Sequence, residues 1–144
     1  MTSLDREALR AQLIRHEGLK LSAYQDHLGF WTIGVGRLID ARKGGHISTD
    51  EAMLLLDNDV KACLDDLASF AWFEGLNPVR QMAMLDLRFQ LGSGGLRQFR
   101  QMLAALERKD FSGAAMAARD SKWARADTPA RAATVTAQIE TGTV

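Results

Sequence analysis

The sequence of 144 residues is poor in what commits a chain to a membrane, a disulfide scaffold or a nucleotide. A single cysteine, Cys63, excludes an internal disulfide. It falls on the apolar face of a helical pattern and reads as an inert core thiol, suited to folding in a reducing cytoplasm. No apolar run approaches the roughly 18 residues that would span a bilayer, so stable membrane insertion is not expected. The opening stretch, MTSLDREALRAQ, is polar and charged and does not read as a secretory signal. Formal net charge is zero, which argues against a nucleic-acid binder. No Gly-rich phosphate loop or dinucleotide fingerprint occurs. The three histidines, His16, His27 and His46, lack metal-ligand spacing, and His16-Glu17-Gly18 is not a zinc-protease motif. No internal repeat or low-complexity linker is present.

What remains is a composition that supports a core: 47% hydrophobic and 25% charged residues, at a length that suits one domain in two lobes. Charge is uneven along the chain. Residues 1–74 carry 8 Lys and Arg against 12 Asp and Glu, and residues 75–144 carry 10 against 6. The mildly basic second half could favour an anionic polymer; scattered solvated charge is the plainer reading.

Helical periodicity dominates. Ser3 is a candidate N-cap for a helix from about Leu4 to Glu17, with Gly18 as its stop. Residues 19–47 hold the β-like content, a small hairpin or three-stranded lobe too small to bury a core by itself. Leu21 to Gln25 leads to a turn around His27-Leu28-Gly29, and Phe30 to Val35 reads as the return strand. Ser48-Thr49-Asp50-Glu51 is a capping box that opens a long amphipathic helix, about 49–69, with Met53, Leu56, Val60, Cys63, Leu64 and Leu67 on one face. Asn77-Pro78 starts a central helix, apolar over much of Val79 to Leu91 and ended by Gly92, Gly94 and Gly95. Leu96, Phe99, Leu103 and Leu106 mark the next helix. Asp110 caps a short one, and Thr128-Pro129 caps a last one to about Ile139. The fold class is therefore α+β and mainly helical.

Chemistry concentrates in residues 13–38, LIRHEGLKLSAYQDHLGFWTIGVGRL. Glu17 lies at a helix end, Asp26 just past a strand, and Thr32 on the return strand. A protonated carboxyl and an ionised one across a cleft suit glycosidic bond cleavage. Alone, two carboxylates nine positions apart are a weak signal, because most are solvated and ordinary.

The order and gaps of HEG, QD and TIGVGR are similar to the catalytic signature of the phage-type lysozymes, the endolysins of glycoside hydrolase family 24. The resemblance implies a two-lobed lysozyme-like fold. Its parts are a small β lobe at about 18–48, a connecting helix at about 49–69, and a helical lobe at about 70–144 that also takes in helix 4–17. It implies Glu17 as general acid, Asp26 as the carboxylate that orients or deprotonates water, and Thr32 as a holder of that water, in an inverting reaction. The implied substrate is peptidoglycan, cut between N-acetylmuramic acid and N-acetylglucosamine, with no metal or cofactor. A monomer made in the host cytoplasm and released to the periplasmic wall, through a holin pore or by another route, completes the expectation.

Further matches carry further expectations. Phe89-Gln90-Leu91-Gly92 resembles the family's Phe-Gln-x-Gly at the cleft wall. Gln90 would bond sugar hydroxyls or N-acetyl groups, while Phe89 reads as core more than as a stacking platform. Ser121-Lys122-Trp123 with Thr128-Pro129-x-Arg131 resembles Ser-Lys/Arg-Trp and Thr-Pro-x-Arg, with one extra residue between Trp123 and Pro129. Arg131 would hold Glu17, and Trp123 would be a core anchor. Arg37 stands where the family often has His, and its expected partner is Asp59. Two enzyme-like or binding alternatives remain open on the sequence, a lytic transglycosylase and a non-catalytic wall-binding relic, beside a helical interaction protein with no glycan role.

Overall fold

The computed structural model describes residues 5–39 and 45–144. It divides into two compact units, Met1–Met53 and Leu54–Val144. The first unit holds α1 (Arg6–Glu17), then β1 (Lys20–Gln25), β2 (Trp31–Gly34) and β3 (Arg37–Leu38). Ser3 lies outside the described residues. The cap observed is Asp5, whose Oδ1 accepts from the Ala8 N–H at 3.0 Å. An aspartate is as good an acceptor as a serine at this position. Gly18, at φ +79°, stops the helix and sends its N–H back to the Ile14 carbonyl. The strands form one antiparallel sheet in the order β1-β2-β3. Tyr24 pairs with Thr32 and Thr32 with Leu38, and an irregularity lies between Lys20 and Tyr24.

Helix α2 (Thr49–Leu67) starts on the expected capping box. Ser48 Oγ accepts from the Glu51 N–H at 3.1 Å, and Glu51 Oε1 accepts from the Ser48 N–H at 3.0 Å. Two of the helix's otherwise unpartnered donors are thereby satisfied. No described helix is long and apolar enough to cross a membrane.

The second unit is helical: α3 (Pro78–Arg97), α4 (Arg100–Glu107), α5 (Phe111–Arg119), a π turn (Trp123–Asp127) and α6 (Pro129–Thr141). Its core gathers Leu67, Met84, Leu87, Leu96, Met102, Leu106, Trp123, Val135 and Ile139, with small Ala114, Ala115 and Ala118 letting α5 approach its neighbours. Full burial of each Leu or Met side chain contributes about 1.5–3 kcal/mol.

Two helix ends differ from the sequence reading. The glycines after Leu91 do not end α3. Gly92 alone leaves helical geometry (φ +76°, ψ 172°), and helix resumes to Arg97. Gly94 and Gly95 tolerate helix when packing supports it, and Leu96, fully buried, supplies that packing. Thr128 precedes α6 but makes no side-chain cap bond. Its hydroxyl is used elsewhere.

The two arms of α3 are tied to α2 by one carboxylate. Asp66 accepts from Arg88 Nε, before Gly92, and from Arg97 Nη1 (3.1 Å) and Nη2 (2.8 Å), after it. Arg97 also donates to Ser93 Oγ at 2.6 Å and to Ser69 Oγ at 3.2 Å, and lies over the Phe70 ring. The Arg97 hydrogen bonds, then those of Arg88, hold the Asp66 carboxyl well below the usual carboxylate range, although partial burial opposes them.

Candidate active site

Three candidate residues surround strand β2. Asp26 follows β1 directly. Its Oδ1 accepts two backbone donors, the N–H of Leu28 at 2.8 Å and that of Phe30 at 2.9 Å. The backbone closes the same turn, with Asp26 N–H on the Phe30 carbonyl and Gly29 N–H on the Asp26 carbonyl, each at 2.9 Å. Aspartate bonds its own following backbone readily, which is why it suits this turn. The consequence for chemistry is orientation. One oxygen is committed to the backbone, and Oδ2 takes part in neither bond.

Thr32 sits in β2 and is only 4% exposed, the one buried polar residue of the first unit among those described. Its Oγ1 donates to the Phe30 carbonyl at 3.0 Å. The residue Phe30 thus links the two candidates: its N–H binds Asp26 and its C=O binds Thr32. A hydroxyl whose proton is given to a carbonyl keeps its lone pairs for accepting, so Thr32 can receive a hydrogen bond from a water.

Glu17 ends α1 and lies against the turn between β2 and β3. At Gly36 (φ +64°) a β-carbon would stand 2.7 Å from Glu17 Oε2, 3.0 Å from Cδ and 3.1 Å from Cγ. Only glycine leaves room for the carboxylate there, and only glycine takes that φ at no steric cost. The Gly-x-Gly of the TIGVGR string therefore has two separate uses. Gly34 (φ +69°) has open space where a side chain would be, while Gly36 makes room for Glu17.

Arg37 does not pair as expected. Its Nη1 and Nη2 donate to Glu51 Oε2 and Oε1 at 2.6 and 2.9 Å. Glu51 replaces Asp59 because the capping box already fixes its carboxylate near the end of β3, ready for a two-pronged guanidinium bond. Asp59 is exposed in the Leu54–Val144 unit. The Ser48 backbone N–H chiefly, then the Arg37 guanidinium and the Ser48 hydroxyl, hold Glu51 down at about 2.

The remaining candidates lie in the second unit. Gln90, half-buried on α3, donates from Nε2 to Thr128 Oγ1 at 3.2 Å and accepts at Oε1 from Trp123 Nε1 at 3.0 Å. Trp123 is the expected core anchor, 4% exposed, with its ring edge-on to Phe99. Phe89 is 43% exposed and so is not core, contrary to the sequence reading; helical rotation points its neighbour Leu87 inward instead. Arg131 donates from Nε to Asp86 Oδ1 at 2.6 Å. Its expected partner, Glu17, belongs to the other unit. No local motif marks Asp86 in the sequence. An Asp and an Arg 45 positions apart carry no pairing signal until α3 and α6 pack together.

The phage lysozyme family model matches residues 14–137. The chain belongs to the phage lysozyme family. Similar curated proteins agree. The pre-baseplate central spike protein of Enterobacteria phage T4 is 33% identical over 94% of this chain, which spans only 28% of that protein. A probable T4-type lysozyme of Dictyostelium discoideum is 28% identical over 95% of this chain and 96% of its own length. An endolysin of Acyrthosiphon pisum secondary endosymbiont phage 1 is 31% identical over 78% of this chain and 74% of its own length. The matched span of the lysozyme family takes in Glu17, Asp26, Thr32, Gly36, Gln90, Trp123, Thr128 and Arg131.

Proposed function

We propose that this phage lysozyme is a muramidase, hydrolysing the β-1,4 bond between N-acetylmuramic acid and N-acetylglucosamine in peptidoglycan. Family membership supports a peptidoglycan hydrolase. The observation that carries the mechanism is the Asp26–Phe30–Thr32 linkage, which fixes a carboxylate and a hydroxyl on the two sides of one residue. In the proposed reaction Glu17 gives its proton to the leaving glycosidic oxygen. Asp26 Oδ2 accepts a proton from water held at Thr32 Oγ1, and that water attacks the anomeric carbon from the opposite face. The C–O bond to the leaving sugar breaks as the C–O bond to water forms, with inversion. Phe89, Gln90 and Arg131 are the proposed substrate-side residues.

Turbidity of outer-membrane-stripped walls, followed by fragment masses, tests this reading. The parent should lyse walls and release chains with a new reducing-end N-acetylmuramic acid, and Glu17→Gln should lose about 100-fold or more. Anhydro-ended products would replace hydrolysis by a transglycosylase step. Wall binding by folded protein without lysis would make it a binder. The same proposal has a monomer made in the host cytoplasm reach the periplasmic wall through a holin pore. Co-expression with and without a pore-forming partner, scored by lysis, checks that route.

A further inference from the structure

Residue 128 is where a helix cap belongs, and the chain supplies a threonine, one of the residues that caps well. Yet Thr128 makes no cap bond to α6. Its Oγ1 instead receives the Nε2 proton of Gln90, on a different helix and 38 positions away. On the other side of the same carboxamide, Trp123 Nε1 donates to Gln90 Oε1 at 3.0 Å. An indole nitrogen only donates, so it can face only the amide oxygen. That sets which end of the Gln90 amide is which, and the nitrogen necessarily turns toward Thr128.

The chain between these two partners is wound as a π turn, with the Thr128 N–H reaching back five residues to the Trp123 carbonyl at 2.9 Å. A π turn holds one residue more than an α turn and is common at functional sites. The turn runs from Trp123 to Asp127, and Trp123 and Thr128, at its two ends, both reach one amide. Trp123 is buried and edge-on to Phe99, so its end of the clamp is rigid. With one N–H and one lone pair of Gln90 occupied, one N–H and one lone pair remain. An acetamido group offers the complementary pair.

We propose that Thr128 is a positioning residue for glycan recognition: Trp123 sets which end of the Gln90 carboxamide is which, and the Thr128 hydroxyl, which makes no cap bond to α6, holds that carboxamide in place for pairing with an N-acetyl group. The inference rests on the muramidase reading. Thr128 touches no reacting atom and acts through Gln90.

The test uses soluble, uncrosslinked peptidoglycan chains and the whole protein. Thr128→Val keeps the shape and removes the hydroxyl. It should raise KM about threefold to tenfold, the effect of one neutral hydrogen bond, with kcat unchanged. Thr128→Ser should restore the parent KM. In a Gln90→Met background Thr128→Val should have no further effect, because the group it orients is gone. Thr128→Val should lose only the stability of the one bond to Gln90, a small fall in melting point that Thr128→Ser restores, since no cap is lost. An unchanged KM in folded Thr128→Val, or a lowered melting point that Thr128→Ser does not restore with KM unaffected, overturns the proposal. Calorimetric binding of the same chains to Glu17→Gln, with and without Thr128→Val, separates the two readings. Weaker binding in the double variant, from a parent that does not cleave, keeps Thr128 as a positioning residue and removes the hydrolase. Equal binding overturns the positioning role whatever the parent's activity.

Discussion

Replacing Asp66 by Asn should be among the most damaging polar substitutions in the second unit. Asp66 accepts three guanidinium hydrogen bonds from two arginines that approach from either side of the Gly92 break. The Asp66 and Arg88 side chains are 18% and 19% exposed, and Arg97 is 38% exposed. Hydrogen bonds to a charged group contribute about 1.5–3 kcal/mol when the partner is left without a replacement. Arg97 keeps Ser93 and Ser69 and gains water, so its loss is screened. Arg88 loses its carboxylate in a mostly water-free setting, with only the weak Cys63 sulfur contact left. Together these give about 2 kcal/mol, or roughly 5–10 °C in the unfolding midpoint. Urea melts of parent and Asp66→Asn measure it. Acid provides the stronger check. A carboxyl held below its ordinary range stabilises the fold fully above about pH 4 and loses that contribution as pH falls further. The gap between parent and variant should therefore be constant from pH 7 to about pH 5 and narrow below about pH 4. A gap under about 0.5 kcal/mol at pH 7, or one that does not narrow in acid, would refute the account of Asp66 as the tie between the arms of α3.

Gly36→Ala should cut wall lysis on the order of 100-fold by displacing Glu17, whereas Gly34→Ala, at a similar positive φ but with open space around its new methyl group, should share the backbone strain and keep far more activity. Parallel turbidity assays decide it, and equal losses would mean that strain alone is responsible. In a carboxyl-carbon NMR titration Glu51 should titrate near 2. Arg37→Met should raise it only part of the way, because the Ser48 backbone N–H is the larger cause and remains. The contribution of this carboxylate to the start of α2 should hold down to about pH 5 and fade as the pH falls from there toward about 2.

Local rules reached far in this chain. Pro78 after Asn77, the Ser48–Glu51 capping box and Asp110 before Phe111 each stand at the helix starts they predict, because capping is decided within four residues of sequence. Apolar residues over much of Val79 to Leu91 point to a buried helix, and Ala83, Met84 and Leu87 are buried as that implies, whereas Met82 and Phe89 of the same run are exposed. Where local signals competed with packing, packing won. Gly94 and Gly95 read as a stop, yet they lie in helix beneath a fully buried Leu96. Thr128 reads as a cap, yet its hydroxyl serves an amide on α3.

The sequence by itself determined the family, the helical character and the small sheet, and it nominated the candidate residues, since these rest on residue type, order and spacing. Tertiary structure decided the partners. Which carboxylate meets Arg37, what Gly36 makes room for, what ties the two arms of α3, and which hydroxyl holds Gln90 all depend on groups far apart in the chain. A guanidinium or an amide is satisfied by whichever oxygen the fold brings within about 3 Å, and spacing along the chain does not encode that choice.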